Sequence, residues 1–200
     1  MEAPLLMLFD LGGVLVENAA FPRLSRLLPG RPGAAELRER WMKSQAVRRF
    51  ELGKIAPAEY ADTFVAEWGL PLSAGEFLAE FVSWIDGPSP GALEAIRSLR
   101  ARYRVACLSN CSVSHWEKIG GFLGEFDVAL SSHLIGAMKP DPEAFRHAFK
   151  RCGVEPAAVR FFDDTPVNVE AARRLGARAY HVEGIGPLLG TLRAEGFLEP

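Results

Sequence analysis

From about Pro90 onward, strand signals alternate with helix signals, and this alternation limits the fold more than any other feature of the chain. GALEAIRSLRAR has helical spacing, YRVACLSN is a β-rich run ending on polar residues, and SVSHWEKIGGF predicts a short helix closed by glycine. FDVALSS follows as a strand. DPEAFRHAFKRCGV predicts a helix that starts at Asp141 and stops at Gly153, and VRFFDD is another strand. PVNVEAARRLGA then predicts a helix with Gly176 at its end, and RAYHVE a last strand. Strands separated by helices of this length connect as right-handed βαβ units and build a parallel sheet. The expected fold class is therefore α/β.

The N-terminal stretch LLMLFDLGGVLVE fits the centre of such a sheet. Leu5 to Phe9 form an apolar run, as a strand covered on both faces requires. Asp10 falls at its carboxyl end. Gly12 and Gly13 follow, where the backbone must turn or admit a close approach. Between this strand and Pro88 the pattern changes. AAELRERWMKSQAVRRFELG, APAEYADTFVAEWG and SAGEFLAEFVSWI have helical periodicity, punctuated by glycine and proline. Residues 17–88 read as a helical insertion, with DGPSPG as the return into a core made of residues 1–16 and 89–200. Three of the four tryptophans lie in the insertion, enough aromatic area for a small core of its own.

A chain of 200 residues forms one domain, or a domain with a small insertion, and buries roughly 70% of its unfolded surface without a staple. A formal net charge of −2 gives no electrostatic reason to expect nucleic acid or an anionic membrane as partner. Cys107, Cys111 and Cys152 are odd in number and lack metal-site spacing, so the expectation is free thiols in a reducing cytoplasm. No secretion signal is visible, and no run approaches the ~20 apolar residues of a membrane span. Oligomeric state has no signature.

In an open parallel sheet, ligands bind at the carboxyl ends of the strands. Unusual polar residues stand at four such places: Asp10, Ser109 with Asn110, Lys139 just before a helix start, and Asp163 with Asp164. Singly, each has an ordinary reading as a turn, a solvated lysine or a helix cap. Together they put carboxylates, a hydroxyl, a backbone amide and an ammonium on one rim. Carboxylates suit Mg²⁺, and the other groups suit phosphoryl oxygens. An aspartate can also be the covalent acceptor of a phosphoryl group.

With these residues in order, the whole chain resembles the haloacid dehalogenase-like (HAD) hydrolase superfamily. FDLGGVLV looks like its first motif, with Asp10 matching the nucleophile. LSN is similar to the second, which puts Ser109 and Asn110 on phosphate-binding positions. MKPDPEAF looks like the third, with Lys139 as its basic residue. FFDDTPVNVEAA resembles the fourth, where Asp164 aligns with a metal-ligand aspartate and Asp163 with an auxiliary position. The likeness implies a Rossmann-like parallel core with a small helical cap inserted after the first strand. It also implies a Mg²⁺-dependent phosphomonoester hydrolase acting through an aspartyl-phosphate on a small phosphorylated metabolite. Asp10, the Gly12 carbonyl and Asp164 would hold the metal, and Ser109, Asn110 and Lys139 the phosphoryl oxygens. The closer likeness is to a subgroup with glycine in motif one, which includes a sugar-1-phosphate phosphatase.

Gly12 is the departure. Most phosphatases of the superfamily carry there a second aspartate as general acid and base, a role worth about 10²–10⁴-fold. Dehalogenases and phosphonatases of the superfamily also lack it. A dehalogenase needs no Mg²⁺, yet Asp163 and Asp164 are retained. A phosphonatase needs a cap lysine, and Lys43 and Lys54 are the candidates, Lys54 reading as a surface turn residue. The readings kept are a phosphatase for esters with an acidic leaving group, such as a sugar 1-phosphate, and a phosphate-binding or regulatory protein without turnover. His115, five residues after Asn110, is either a substrate contact and replacement proton donor or a histidine satisfied in the core. Arg48, Arg49 and Phe50 face either the substrate or solvent. His133, His147 and His181 carry no positional argument.

Overall fold

The computed structural model describes residues 5–199. β1 (Leu6–Phe9) is fully buried, as its unbroken apolar sequence demands. It leads to β2 (Val16–Asn18) and then to five helices: α1 (Ala20–Leu27), α2 (Ala34–Lys43), α3 (Gln45–Glu51), α4 (Pro57–Trp68) and α5 (Ala74–Val82). β3 (Ile85–Pro88) returns antiparallel to β2, forming a two-stranded ribbon at the neck of the helical insertion. The remainder runs α6 (Ala92–Arg100), β4 (Arg104–Ser109), α7 (Val113–Lys118), α8 (Gly120–Leu123), β5 (Val128–Ser131), α9 (Ser132–Ile135) and α10 (Pro142–Cys152). It ends with β6 (Val159–Asp163), α11 (Pro166–Arg174), β7 (Arg178–His181) and α12 (Ile185–Ala194).

The main sheet has the order β5-β4-β1-β6-β7, every neighbouring pair parallel. Alternation along β1 divides its side chains between two cores. Met7 and Phe9 join Val105, Cys107 and Phe162 under α6 and α12, through Ile96, Leu99, Leu188 and Leu192. Leu6 and Leu8 join Ala106, Leu108 and Phe161 under α10 and α11, through Phe145, Phe149, Val169 and Ala172. β1 is central, so its carboxyl end opens between those of β4 and β6. That is the crevice where the chain order reverses and ligands bind in such sheets.

The inserted helices close on a third core rich in aromatic rings. Phe64 stacks on Phe77 at 4.7 Å and Phe50 on Tyr60 at 4.1 Å, with Phe81, Trp68 and Trp84 packed around them. The expected helix through AAELRERWMKSQAVRRFELG is broken at Ser44, whose hydroxyl accepts from the Val47 amide and so caps α3 as a separate helix. The expected helix through SVSHWEKIGGF is likewise two pieces, because the chain turns at Ile119 to bury it with Phe122. α10 begins after Asp141 and ends at Gly153, as its sequence predicts. The three cysteines are buried free thiols. Among the described residues, no helix is long and apolar enough to cross a membrane.

Candidate active site

The carboxyl end of β1 carries Asp10 into the floor of a cavity of about 490 Å³ between the sheet edge and the inserted helices. The Asp10 amide donates to the Phe162 carbonyl at 2.9 Å, so the aspartate backbone still belongs to the ladder when its side chain leaves it. Lys139 reaches the same floor from the loop before α10. Its ammonium lies 2.8 Å from Asp10 Oδ1 and 2.6 Å from Asp163 Oδ2, and all three side chains are buried or nearly so. Burial alone would push the Lys139 pKa down, but the two carboxylates outweigh it and push it up. Lys139 is therefore a fixed positive charge.

Asn110 sets the place of that lysine. Its side chain donates to the Lys139 carbonyl at 2.8 Å and accepts from the Lys139 amide at 2.8 Å, tying the end of β4 to the lysine loop. The side chain is spent on this clamp, and Asn110 lines the cavity beside Ser109. Asp163 holds the lysine from the other side. Its Oδ1 accepts from the Thr165 amide and from Asn168, and its Oδ2 accepts from Lys139 and Asn168. Asp164 is held differently. Thr165 donates to its Oδ1 at 2.9 Å, the His181 ring donates to its carbonyl at 2.8 Å, and the Arg38 guanidinium of α2 lies 3.8 Å from its Oδ2.

Asp10, Asp163 and Asp164 each bring a carboxylate oxygen within 4.8 Å of the others. Crowding of this kind has an electrostatic signature. Burial raises the Asp10 pKa to about 7, the Asp163 and Asp164 charges add to the rise, and Lys139 opposes it. Burial raises that of Asp164 as well. Lys139 and the more distant Arg38 do not balance three acids. The cluster is short of positive charge, and its hard oxygen donors are those that a Mg²⁺-sized cation takes.

Gly13 explains why two glycines follow Asp10. Its φ is +79°, and a Cβ built there would lie 2.5 Å from Asp164 Oδ2. Gly12 is under no such demand, since its φ is not positive and a Cβ would meet only the Asn18 side chain at 3.4 Å.

His115 lines the cavity, but its ring is committed elsewhere. It stacks on Phe81 at 4.1 Å, and its Nε2 donates to the Phe81 carbonyl at 2.7 Å. Burial pushes its pKa down to about 4, so the ring is neutral and its one N–H is used. Of the two readings the sequence left open, this geometry is that of the histidine satisfied in the core, with no N–H left to donate to a substrate. Arg48 lines the cavity and pairs with Asp141 at 3.0 Å, Arg49 pairs with Glu59 on the surface, and Phe50 is buried in the aromatic core of the inserted helices. Lys43 pairs with Glu39, outside the cavity, and Lys54 is exposed. The sequence reading missed Arg38, Asn168 and Glu51. Arg38 and Glu51 lie in helices where their spacing matches any amphipathic surface. Asn168, five residues after Asp163 on the first turns of α11, was recoverable from the motif it sits in.

An acid cluster at the carboxyl edge of a parallel sheet, roofed by an inserted helical layer, sets this protein among hydrolases built on a Rossmann-like α/β fold. More narrowly, the chain belongs to the haloacid dehalogenase-like hydrolase family, whose model matches residues 5–176. Over 60 residues it is 48% identical to Phosphatase MT3486 of Mycobacterium tuberculosis, a match spanning 30% of this chain and 28% of that protein. Over 187 residues it is 25% identical to the D-ribitol-5-phosphate phosphatase of Bacteroides thetaiotaomicron, covering 88% of this chain and 91% of the relative. A HAD-family enzyme of the same organism, solved in complex with magnesium and inorganic phosphate, superposes with a TM-score of 0.73. That match covers 90% of this chain and 95% of the other at 24% identity, a likeness of fold.

Proposed function

We propose that this hydrolase cleaves phosphomonoesters of small metabolites, sugar 1-phosphates among them, through an aspartyl-phosphate on Asp10 with Mg²⁺ as cofactor. The observation that carries the reading is the buried Asp10–Lys139–Asp163 cluster on the cavity floor, a nucleophile held 2.8 Å from a fixed ammonium. The phosphatase names of the relatives agree with it.

The donor set fits the metal. Asp10, Asp164 and the Gly12 carbonyl are the proposed ligands, with Asp163 as an auxiliary acid whose oxygens already serve Lys139, Thr165 and Asn168. When bound, Mg²⁺ supplies charge neutralisation on Asp10 and a phosphoryl oxygen. The chain's own residues do the rest. Asp10, freed of its raised pKa, attacks phosphorus in line with the leaving oxygen. Ser109 and the Asn110 amide donate to the other phosphoryl oxygens. Lys139 offsets the charge that builds on them, at no cost of reorganisation because both carboxylates already hold it in place. Water then hydrolyses the aspartyl-phosphate. The inserted helices cover the site and set the space for the leaving group, with Phe21, Trp41, Val47 and Trp84 as apolar walls.

The test is phosphate release from p-nitrophenyl phosphate. The expected result is turnover that requires Mg²⁺, is abolished by a chelator, and disappears in Asp10→Asn with the melting temperature retained. A folded protein that with Mg²⁺ neither releases phosphate nor becomes phosphorylated on Asp10 overturns the proposal.

A further inference from the structure

Gly12 brings no acid to the site, yet the cavity contains one. Glu51, the last residue of α3, lines the cavity from the cap side while Asp10 and Lys139 line it from the core. The Trp41 side chain lines the same cavity. Among the described residues no cation pairs with it: Arg48 is turned to Asp141, Arg38 to Asp164, and Lys139 to Asp10 and Asp163. A partly buried carboxyl in a cavity wall with no counter-charge has no structural use for its negative form.

The end of α3 is fixed against the core next to the lysine loop. Ser132 Oγ donates to the Glu51 carbonyl, and Gly53, at φ +68°, lies so close that a Cβ would stand 2.7 Å from the His133 carbonyl oxygen. Arg48 reaches Asp141, two residues beyond Lys139. These contacts bracket the loop that carries Lys139 and fix the Glu51 backbone at the wall of the cavity that Asp10 and Lys139 also line. The other candidates are spent. The His115 N–H is bound to Phe81, and burial pushes the Cys111 thiol well above the ordinary range.

We propose that Glu51 donates a proton to the leaving oxygen and then takes one from the attacking water, the role that the Gly12 position does not fill. This rests on the phosphatase reading above. In the first half, an Asp10 oxygen forms its bond to phosphorus as the ester P–O bond breaks. The leaving oxygen keeps that electron pair and receives the Glu51 proton, which leaves an alcohol and a Glu51 carboxylate. In the second half, the carboxylate removes a proton from water as its oxygen bonds to phosphorus. The Asp10–phosphorus bond breaks, and phosphate departs with both carboxyls restored. Burial raises the Glu51 pKa to about 8, with Asp10 adding to the rise and the Trp41 indole and Lys139 opposing it. The acid is thus loaded at neutral pH, as a proton donor must be. The other groups around it, Tyr60 from α4 and Cys111 after β4, are neutral under the same conditions.

The test compares Glu51→Gln with wild type, in Mg²⁺, on p-nitrophenyl phosphate and on glycerol 3-phosphate. The aryl oxygen needs no proton to leave and the alkyl oxygen does. The expected result is a fall in kcat/KM on the order of 10²-fold or more for the alkyl ester and little change for the aryl ester. Phosphoenzyme should accumulate with both, since the second half loses its base. Adding Gly12→Asp to Glu51→Gln should restore much of the alkyl activity, which a purely structural defect would not allow. Equal losses on both esters, or no loss on either, overturn the role of Glu51. A wild type inactive on both overturns the phosphatase reading and this proposal with it. Where Glu51→Gln does not fold, Trp41→Phe decides: the indole holds the Glu51 pKa down, so its removal should move the alkaline limb of the alkyl profile to higher pH, and an unmoved limb overturns the proposal.

Discussion

Gly13 couples backbone conformation to the acid cluster, and replacing it separates two effects that a single variant would confuse. Gly13→Ala puts a side chain at φ +79°, in the left-handed region, where the steric cost is about 1–2 kcal/mol. Gly153→Ala, just beyond α10 at φ +63°, carries the same backbone cost with nothing within 4 Å of the new Cβ. For a domain near 200 residues this predicts a fall in melting temperature of about 2–8 °C for either variant. Gly13→Ala has a further consequence. Its Cβ would stand 2.5 Å from Asp164 Oδ2, and ordinary contact begins at 3.4 Å, so the carboxylate has to retreat by roughly 0.9 Å. That movement pulls against the Thr165 hydrogen bond to Oδ1 at 2.9 Å. Losing one well-placed charged ligand, at about 1.4 kcal/mol, corresponds to roughly tenfold in cation affinity. The expected outcome is a Mg²⁺ half-saturation raised about tenfold in Gly13→Ala and unchanged in Gly153→Ala, with similar metal-free melting temperatures. The assays are a Mg²⁺ titration of phosphate release and the Mg²⁺-dependent rise in melting temperature. Identical metal requirements in the two variants would refute the coupling of Gly13 to Asp164.

Lys139→Met should leave Asp10 and Asp163 facing each other without a counter-charge, costing about 3–5 kcal/mol in urea unfolding and eliminating turnover. Asp164→Ala should raise the metal requirement sharply. Asp163→Ala should act mainly on stability, because both Asp163 oxygens hold Lys139, Asn168 and Thr165; the reverse order would mean that Asp163 is the principal ligand. Glu51 and Asp10 are held above their ordinary values, at about 8 and about 7, so the folded state binds more protons than the unfolded chain through that range. Without metal, stability should therefore be full below about pH 4 as far as these two groups go, and should decline as pH rises toward 7–8. Glu51→Gln should flatten that decline, as unfolding free energy measured against pH would show.

The core and most of the acid cluster were legible because both are written in local pattern. β1 needs five apolar residues in a row to be buried on two faces, and only a strand end explains Asp10 after them. Ser109, Lys139 and Asp164 were found for the same reason, each standing where a strand or loop delivers it to one edge. What the sequence hid depends on contacts between distant segments. The Asn110 backbone amide is what the motif assigns to phosphate; the task of its side chain, hydrogen-bonded to the main chain of Lys139 29 residues away, has no local signature. The two readings of His115 could not be separated by sequence because its partner is the Phe81 carbonyl of α5, and no pattern in either segment announces the other. Glu51 closes a helix with an ordinary charged surface. Only the docking of α3 onto Ser132 and His133 turns it into a cavity wall.

That docking carries a consequence for how the site is completed. An acid at position 12 would stay beside Asp10 whatever the inserted helices do, whereas the proposed donor, Glu51, is in place only while α3 is seated. Proton delivery and exclusion of water then become one event. Of the contacts that hold α3 down, two that differ in strength can be removed singly. The Arg48–Asp141 pair is half-exposed on both sides, so removing it costs about 0–1 kcal/mol and should change alkyl kcat/KM by no more than about fivefold. Gly53 has no slack: with a Cβ 2.7 Å from the His133 carbonyl oxygen, Gly53→Ala has to lift the end of α3 off the core. It should depress kcat/KM for the alkyl ester far more than for the aryl ester, as Glu51→Gln does, although Gly53 carries no chemistry. Gly69→Ala, with the same left-handed φ of +64° in the cap and open space around it, is the control for backbone strain. If Gly53→Ala slows both esters alike, or matches Gly69→Ala, the seating of α3 does not govern the proton.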